Sequence, residues 1–140
     1  MKEIKKRSDC PISSALEIFG DKWSLLIIRD IALFGKNTYN EFLKSDEKIA
    51  TNILADRITL LEKAGILIKE DHPESKAKIF YRLSKKGIDL LPVMFEISLW
   101  SDKYLLTPLQ AKEIAKAYRK DKNKVLKKIS ENSKSSKRFI

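Results

Sequence analysis

The order of hydrophobic and polar positions predicts a mostly helical chain. Residues 11–19 read as a short helix that Gly20 ends, and Ser14 and Glu17 within it match a capping box. Residues 22–34 are apolar nearly all round, which is typical of a helix buried on every side. We therefore expect two helices in this first part of the chain, the second of them central to the core.

The next part of the chain predicts two more helices and then a β-hairpin. Thr38 and Glu41 match a second capping box, which opens a short helix, and a polar turn separates it from a longer helix over residues 50–64. Residues 66–71 and 79–83 are rich in β-branched and aromatic side chains, which favours two strands. The polar segment between them is too long for a tight turn, so we expect an extended loop at the hairpin tip.

The remainder of the chain predicts helices again. Ser84 can cap a long helix, and Pro92 inside it should kink it, because proline lacks a backbone N–H and clashes with the preceding turn. Pro108 marks the start of another helix, which we expect to reach about Ile129, and the polar composition from Ser130 onward is typical of a flexible end. The predicted fold class is mostly α with a small β-hairpin and an extra C-terminal helix.

Charge divides the chain unevenly. The formal net charge is +10, of which residues 1–104 hold +2 and residues 105–140 hold +8. We divide the chain into a basic N-terminal arm at 1–9, a domain at 10–104, and a basic C-terminal helical extension with a flexible end at 105–140. Such asymmetry indicates an acidic partner, such as nucleic acid or an anionic membrane surface, or else a solvated lysine-rich tail.

The sequence also excludes several classes of protein. Its longest apolar run, residues 25–28, is far shorter than the roughly 18 residues of a membrane-spanning helix. No apolar segment follows the basic N-terminus, and Cys10 is the single cysteine, so we expect a reduced, cytoplasmic protein. No cluster of His, Cys and carboxylate has metal-ligand spacing and no glycine-rich phosphate loop is present, so we expect no metal, no cofactor and no enzymatic activity.

The predicted helix over residues 50–64 has a polar face that suits contact with DNA. On a helical wheel Leu54, Ile58 and Leu61 form one apolar stripe. The opposite side is small, polar or charged, and the candidates for base-edge contact are Thr51, Asn52, Ala55, Asp56 and Thr59. Asparagine can bond adenine and threonine can meet a thymine methyl group, whereas a carboxylate repels phosphate unless a cytosine amine or a neighbouring cation pairs with it.

Cationic side chains on this helix and in the hairpin are candidates for phosphate contact. They are Arg57, Lys63, Lys76 and Lys78. Arg57 lies at the border of the apolar stripe, so it can instead hold the domain together through a salt bridge, and Lys63 can instead pair with Asp56. An amphipathic helix without any partner would show the same polar face to water. The short helix before it and the hairpin after it favour DNA, because together they make a winged helix-turn-helix whose second helix fits the major groove, about 12 Å wide.

Stretches of the chain, in their order and spacing, carry a resemblance to a known family. They are Cys10-Pro11, GDKWSLLIIR at 20–29, the segment at 49–65, YRLSKKG at 81–87, and Trp100. Together they resemble the HxlR-type family of winged-helix transcriptional regulators, which are relatives of the MarR-like regulators. The resemblance implies a homodimer that binds a double-stranded DNA operator, with the helix over residues 50–64 in the major groove and the hairpin as the wing. It also implies dimer contacts through the N-terminal region and through the helix after the wing.

The chain departs from the family pattern at the wing and at the C-terminus. The family often has a proline at the wing tip and a glutamate before the tyrosine, whereas here the tip reads SKAK at 75–78 and Phe80 precedes Tyr81. The wing is therefore expected to contact phosphate through Lys76 and Lys78. The basic segment after residue 104 lies beyond the usual end of the family.

Cys10 is the candidate for sensing an effector. In several members of the family that the chain resembles, a cysteine at this Cys-Pro position senses oxidants or electrophiles, which implies a small effector of that kind here. The start of a helix and the nearby Lys5, Lys6 and Arg7 favour the reactive thiolate, whereas Asp9 opposes it. A single thiol can signal by an intersubunit disulfide or by an adduct, and it can equally be a structural thiol without a signalling role.

Two other functions stay open at this point. A winged helix can serve as a protein-interaction adaptor without specific DNA binding, which the nearly neutral body and Asp56 favour. A basic surface that includes the helix over 50–64 would favour DNA, and a surface that is basic only in the tail would favour the adaptor. A thiol enzyme would need Cys10 as nucleophile and His72 as base. The sequence leaves open whether a regulator of this kind represses or activates.

Overall fold

The protein is described here from a computed structural model, which describes residues 5–72, 74–134 and 139. Its elements are α1 (Pro11–Phe19), α2 (Ser24–Phe34), α3 (Tyr39–Leu43), α4 (Thr51–Lys63), β1 (Leu67–His72), β2 (Ser75–Leu83), α5 (Lys85–Ile88), α6 (Leu91–Tyr104), α7 (Leu109–Lys120) and α8 (Lys122–Lys134). The predicted fold class, mostly α with a small hairpin in a winged helix-turn-helix, is confirmed. Within those described ranges, no helix is long and apolar enough to cross a membrane.

The helix α2 is the centre of the core, as its all-round apolar pattern predicts. Ile28 and Ala32 are fully buried, and α1, α4, α6, α8 and β2 all pack against this helix. The helix begins at Ser24, two residues later than predicted, because the Asp21 carboxylate accepts the N–H groups of Trp23 and Ser24, each at 2.9 Å. The left-handed Gly35 ends it at φ 67°.

The helices α3 and α4 form the helix-turn-helix. The Thr38 hydroxyl oxygen accepts the N–H of Glu41 at 3.3 Å, so Thr38 caps α3 as predicted. The Glu41 carboxylate accepts the Thr38 hydroxyl at 2.9 Å and the N–H of Asn37 at 3.3 Å, one residue before the N–H of a regular capping box. The predicted apolar stripe of α4 is also confirmed, because Leu54, Ile58 and Leu61 are buried.

The capping box predicted at Ser14 and Glu17 is wrong. The helix α1 begins at Pro11 with Cys10 as its N-cap residue, which leaves Ser14 inside the helix, and Glu17 binds Arg7 at 2.5 Å. A hydroxyl and a carboxylate three residues apart occur too often on helices to mark a start alone. Proline at the first helical position was the more reliable signal.

The hairpin is longer and its turn is shorter than predicted. The strands pair antiparallel from Leu67↔Leu83 to Asp71↔Ile79, and an irregularity after Asp71 brings His72 opposite Ser75. The expected extended loop is therefore wrong, because residues 75–78 belong to β2, which begins three residues after His72, the last residue of β1. The irregular register places residues 76–78 between the pairs Asp71↔Ile79 and His72↔Ser75, as a bulge in β2.

The long helix predicted after Ser84 is divided in two. The Ser84 hydroxyl oxygen accepts the N–H of Gly87 at 3.1 Å and caps α5, which ends at Ile88. Pro92 lies in the first turn of α6, where its missing N–H removes no helical hydrogen bond. In place of one long helix with an internal kink, the structure has a break between α5 and α6 at Asp89 and Leu90, directly before the turn that contains the proline.

The C-terminal extension folds back onto the core. It forms two helices, α7 and α8, where the sequence predicted one, and α8 continues past Ser130 to Lys134. Tyr118 and Ile129 are almost completely buried, and the Tyr118 ring stacks on Phe95 with 4.5 Å between centroids. Because α8 packs against α2 and β2, the extension shares the hydrophobic core of the domain. Residues 135–138 and 140 of the predicted flexible end lie outside the described residues.

Candidate nucleic-acid interface

The helix α4 presents a continuous polar face to solvent. All the candidates for base-edge contact are exposed on it, namely Thr51, Asn52, Ala55, Asp56 and Thr59. Leu54 and Leu61 on the opposite side are fully buried, so the polar face is held in one orientation. The fold therefore brings these five candidates together on one helix of the width that enters a major groove.

Asn52 and Thr59 have hydrogen-bonding groups free for a base edge. Across the described part of the chain the Asn52 amide makes no hydrogen bond, so its donors and its acceptor are all available. The Thr59 hydroxyl donates to the carbonyl oxygen of Ala55 at 2.9 Å, which leaves its oxygen lone pairs and its methyl group accessible. These groups match the edges of adenine and thymine in the major groove.

Arg57 is paired with acids of its own chain. Its guanidinium lies 2.6 Å from the Asp56 carboxylate and 3.4 Å from that of Asp21, and its side chain is 26% exposed. The hydrogen bond with Asp56 is the main cause that raises the pKa of Arg57. The structure thus contains the salt bridge that was the alternative role of Arg57. Asp56 pairs with Arg57 rather than with Lys63, and Lys63 stays exposed.

Asp21 connects the start of α2 with α4. Burial opposes its ionisation, but hydrogen bonds from Ser24 and from the N–H groups of Trp23 and Ser24 together outweigh it and lower the pKa of Asp21. The carboxylate is therefore ionised at neutral pH and can hold both the first turn of α2 and the Arg57 guanidinium. This contact holds α4 against the start of α2.

A polar network braces the turn that precedes α4. Arg29 donates to Glu47 at 2.7 and 2.8 Å and to Asp30 at 2.7 and 3.1 Å. The Ser45 hydroxyl donates to Asp30, and the Lys36 ammonium donates to Ser45 at 2.8 Å. The hydrogen bond from Arg29 is the main cause that lowers the pKa of Glu47 to about 2. Sequence reasoning missed this network, although a charged pair inside an otherwise apolar helix was a usable signal.

The hairpin lies beside α4 and carries further cations. The strand β1 packs against α4, and the Tyr81 N–H donates to the Asn37 carbonyl oxygen at 2.7 Å, which ties β2 to the segment before α3. Lys78 is exposed on β2, whereas the side chain of Lys76 lies outside what the structure describes. A wing in this position can reach the DNA backbone or the adjacent minor groove.

An open groove between α3 and the hairpin contains residues that the sequence did not single out. It has a volume of about 740 Å³, and Asn40 and Lys44 line it together with His72 and Lys78. Asn40 and Lys44 are exposed, so they extend the set of phosphate candidates. Only the packing of the hairpin against α3 brings these residues together, which is why no local pattern revealed them.

The charges on α4 cancel. Asp56 and Glu62 oppose Arg57 and Lys63 on this helix, whereas residues 105–140 hold a net charge of +8. The polar face that could read bases is therefore neutral, and the cations that could meet phosphate lie around it.

Cys10 and His72 occupy separate elements. Cys10 is exposed at the N-terminus of α1, and its N–H donates to the Ser8 hydroxyl oxygen at 3.2 Å. His72 ends β1, where its Nδ1 accepts the N–H of Glu74 at 3.1 Å and its ring meets Phe80 edge-on at 5.9 Å. The imidazole is thus engaged in the hairpin turn. In the ranges that the structure covers, no group of three or more His, Cys, Asp or Glu is arranged to hold a metal ion.

Comparison with known proteins agrees with this arrangement of elements. A family model described as HxlR-like helix-turn-helix matches residues 18–108. The structure of PA1607, a candidate transcription factor, has a TM-score of 0.65 and 37% identity, covering 74% of this chain and 70% of PA1607. The transcriptional regulator YodB from Bacillus subtilis is 31% identical over 96 residues, covering 68% of this chain and 85% of YodB. The structure of the redox regulator HypR in its oxidised form has a TM-score of 0.62 and 25% identity, covering 70% of this chain and 100% of HypR.

These similarities extend over the helix-turn-helix, the hairpin and α6. The matched residues include the polar face of α4 and the network that braces it. The chain therefore belongs to the HxlR-like helix-turn-helix family and is a transcriptional regulator of the helix-turn-helix type.

Proposed function

We propose that the protein is a homodimer that binds a specific sequence of double-stranded DNA through α4 and the hairpin, and that Cys10 couples this binding to oxidants or electrophiles. The observation that carries DNA recognition is the exposed polar face of α4, with an Asn52 amide that has no partner in the described chain. A helix of this kind beside a wing is the geometry with which a winged helix-turn-helix reads base edges.

An apolar stripe on α6 supports the homodimer. Ile97, Trp100 and Tyr104 recur at helical spacing and are 50%, 59% and 62% exposed. On α1, Ile12 and Leu16 are likewise exposed, at 71% and 49%. Large exposed apolar surfaces mark interaction sites, and a twofold axis lets one such surface cover its own copy. Two α4 helices related in this way would read half-sites about 34–36 Å apart, one turn of the duplex.

The test of DNA recognition is selection of duplexes from a randomised library. Asn52→Ala should relax the base preference at one position of each half-site, at a cost of about 1–3 kcal/mol for that base. Asn40→Ala is the matched control, because the loss of an amide that lies beside phosphates should lower the affinity for all sequences alike. An unchanged preference in Asn52→Ala would remove this residue from the recognition surface, and recovery of no sequence at all would refute specific binding.

Regulation through Cys10 is supported by its exposure at the start of α1 and by the relatives. YodB has been solved in reduced, diamide-treated and quinone-bound forms, and HypR in reduced and oxidised forms. With diamide, two Cys10 thiols would form one disulfide while diamide takes up two electrons and two protons. With a quinone, the thiolate would add to a ring carbon and a proton would reach the quinone oxygen.

The effect of either reagent on DNA binding separates a sensor from a structural thiol. Treatment with diamide or benzoquinone should change the affinity for the selected duplex in the wild type, and intact mass should show a disulfide or an adduct. Cys10→Ser should keep the untreated affinity and should not respond. An equal response of wild type and Cys10→Ser would contradict the sensor.

The neutral charge of α4 favours one second candidate, a winged-helix adaptor that binds a protein instead of DNA. The same selection experiment distinguishes the two, because an adaptor would enrich no DNA sequence.

A further inference from the structure

We infer that Lys120, Lys124 and Lys128 of the C-terminal extension form a second contact surface for the DNA backbone, outside the base pairs that α4 reads. We call these three residues the lysine cleft. The inference rests on the proposed DNA-binding function and adds to it a surface that lies beyond the matched residues 18–108.

The charge distribution of the chain favours a cationic surface for DNA outside α4. DNA affinity depends mainly on cations that meet phosphates and release counterions. On α4 the charges cancel, and Arg57 is held by Asp21 and Asp56. Residues 1–104 have a net charge of +2, whereas residues 105–140 have +8. The largest supply of positive charge in the chain is therefore the extension.

The three lysines converge on one concave site. Lys120 ends α7, and Lys124 and Lys128 lie one turn apart on α8, so all three line a cleft of about 310 Å³ with Val125 as an apolar wall. Asp121 also lines the cleft, but one of its carboxylate oxygens accepts the N–H of Lys124 at 3.1 Å and so caps α8. The cleft thus has an excess of two positive charges, which suits an anion.

Among the described residues, the ammonium groups of the cleft have no acid partner of their own. Elsewhere in the extension, Lys112 and Arg119 bind Asp102 at 3.2 Å each, and Lys122 binds Glu96 at 3.0 Å. In the parts of the chain described here, Lys120, Lys124 and Lys128 make no ion pair, and Lys128 lies 5.9 Å from the centre of the Phe139 ring. The extension therefore uses some of its cations for packing and leaves these three exposed for a partner.

The cleft is fixed to the body that carries α4. Val125 and Ile129, on the inner side of α8, are buried, and α8 packs against α2 and against β2, the second strand of the wing. The Phe139 N–H also donates to the carbonyl oxygen of Leu33 at the end of α2, at 2.8 Å. Because α2 and the hairpin also hold α4, the lysines are anchored to the elements that hold α4, and their use needs no ordering of a flexible tail. This favours DNA over an unrelated anionic surface as the partner.

The test compares the DNA affinity of the wild type with that of the triple variant Lys120→Gln/Lys124→Gln/Lys128→Gln. The duplex is one that the wild-type protein has selected, and it has about one turn, roughly 10 base pairs, of random flank on each side. Each phosphate contact contributes about 0.9 to the slope of log K against log salt. The loss of three contacts should therefore make this slope less steep by about 2.7 per subunit. Between 50 and 200 mM salt, the affinity ratio of the two proteins should therefore narrow by about 40-fold per subunit. The matched control is the triple arginine variant, which keeps the charges and should keep the wild-type slope.

Three further measurements separate the possible results. The base preference of the glutamine variant should be unchanged, and on a duplex trimmed to the two half-sites its affinity should equal that of the wild type. Equal salt slopes on the flanked duplex would overturn the lysine cleft while specific DNA binding stands. Loss of affinity on the trimmed duplex would overturn its placement on the flanks. Binding of the wild type, but not of the variant, to phosphatidylglycerol vesicles with equal DNA slopes would assign the cleft to a membrane instead. A wild type that selects no duplex would overturn the proposed function itself.

Discussion

Replacing Ile129 tests whether the C-terminal extension is part of the cooperative fold. Ile129 is completely buried on α8, the helix that packs against α2 and β2. Ile129→Ala removes three carbon atoms from this site, at about 0.8 kcal/mol for each buried CH₂ group. The cavity that remains adds to this loss, and such substitutions cost about 2–5 kcal/mol in total.

We therefore expect Ile129→Ala to lower the free energy of unfolding by about 3 kcal/mol, which corresponds to a melting temperature lower by about 10 °C in a chain of this size. The free energy of unfolding is measured by urea unfolding followed by far-ultraviolet circular dichroism. Both proteins are compared at one fixed protein concentration, because a dimer unfolds in a concentration-dependent way. Lys127→Ala, an exposed position on the same helix, is the control and should change the free energy by less than about 0.5 kcal/mol. A loss below about 1 kcal/mol for Ile129→Ala, or a separate early transition, would show that the extension unfolds independently of the core.

Three other predictions concern the network at Glu47, the face of α6 and the contact between α6 and α7. The pKa of Glu47 is about 2 in the folded protein against 4.5 ordinarily, so its ion pair stabilises the fold above pH 4.5 and this contribution disappears as the pH falls toward 2. Because the carboxylate is partly exposed, the free energy of unfolding should differ between wild type and Glu47→Gln by about 1 kcal/mol or less at pH 7. The two free energies should converge near pH 2–3, and a difference that stays constant with pH would contradict the stabilising ion pair of Glu47. Ile97→Asp should convert the proposed dimer to a monomer in sedimentation experiments, and Ile79→Asp on β2 should leave the dimer intact; a dimer that survives Ile97→Asp would exclude this face of α6 as the interface. Asp102→Asn should speed amide hydrogen exchange in α7, because Asp102 binds two cations of that helix, and unchanged exchange would mean that apolar packing alone holds it.

The helix-turn-helix could be predicted from the sequence because its determinants are local. The apolar spacing of Leu54, Ile58 and Leu61 fixes which side of α4 is buried, and the Thr38 capping box fixes where α3 starts. The candidate base-edge residues follow from the same wheel, since they are what remains on the other side. These features can be predicted without knowing how the helices and strands pack against one another.

The features that the sequence did not reveal depend on contacts between distant segments. Asn40 and Lys44 meet the hairpin only because β2 is tied to the segment before α3. The apolar positions Tyr118 and Ile129 could be seen in the sequence, but nothing local shows that they cover α2 and Phe95. The longer hairpin was missed because the SKAK run has little β-propensity, and its place in β2 depends on the rest of the hairpin rather than on local preference.

The place of Ile129 in the core has a consequence for synthesis on the ribosome. Domains generally begin to fold from the N-terminus as the chain emerges, at about 5–20 residues per second. Here the central helix α2 precedes α8 in the chain, and α8 packs against it. A nascent chain must therefore carry the apolar surface of α2 that α8 covers until α8 itself has been made and has left the exit tunnel.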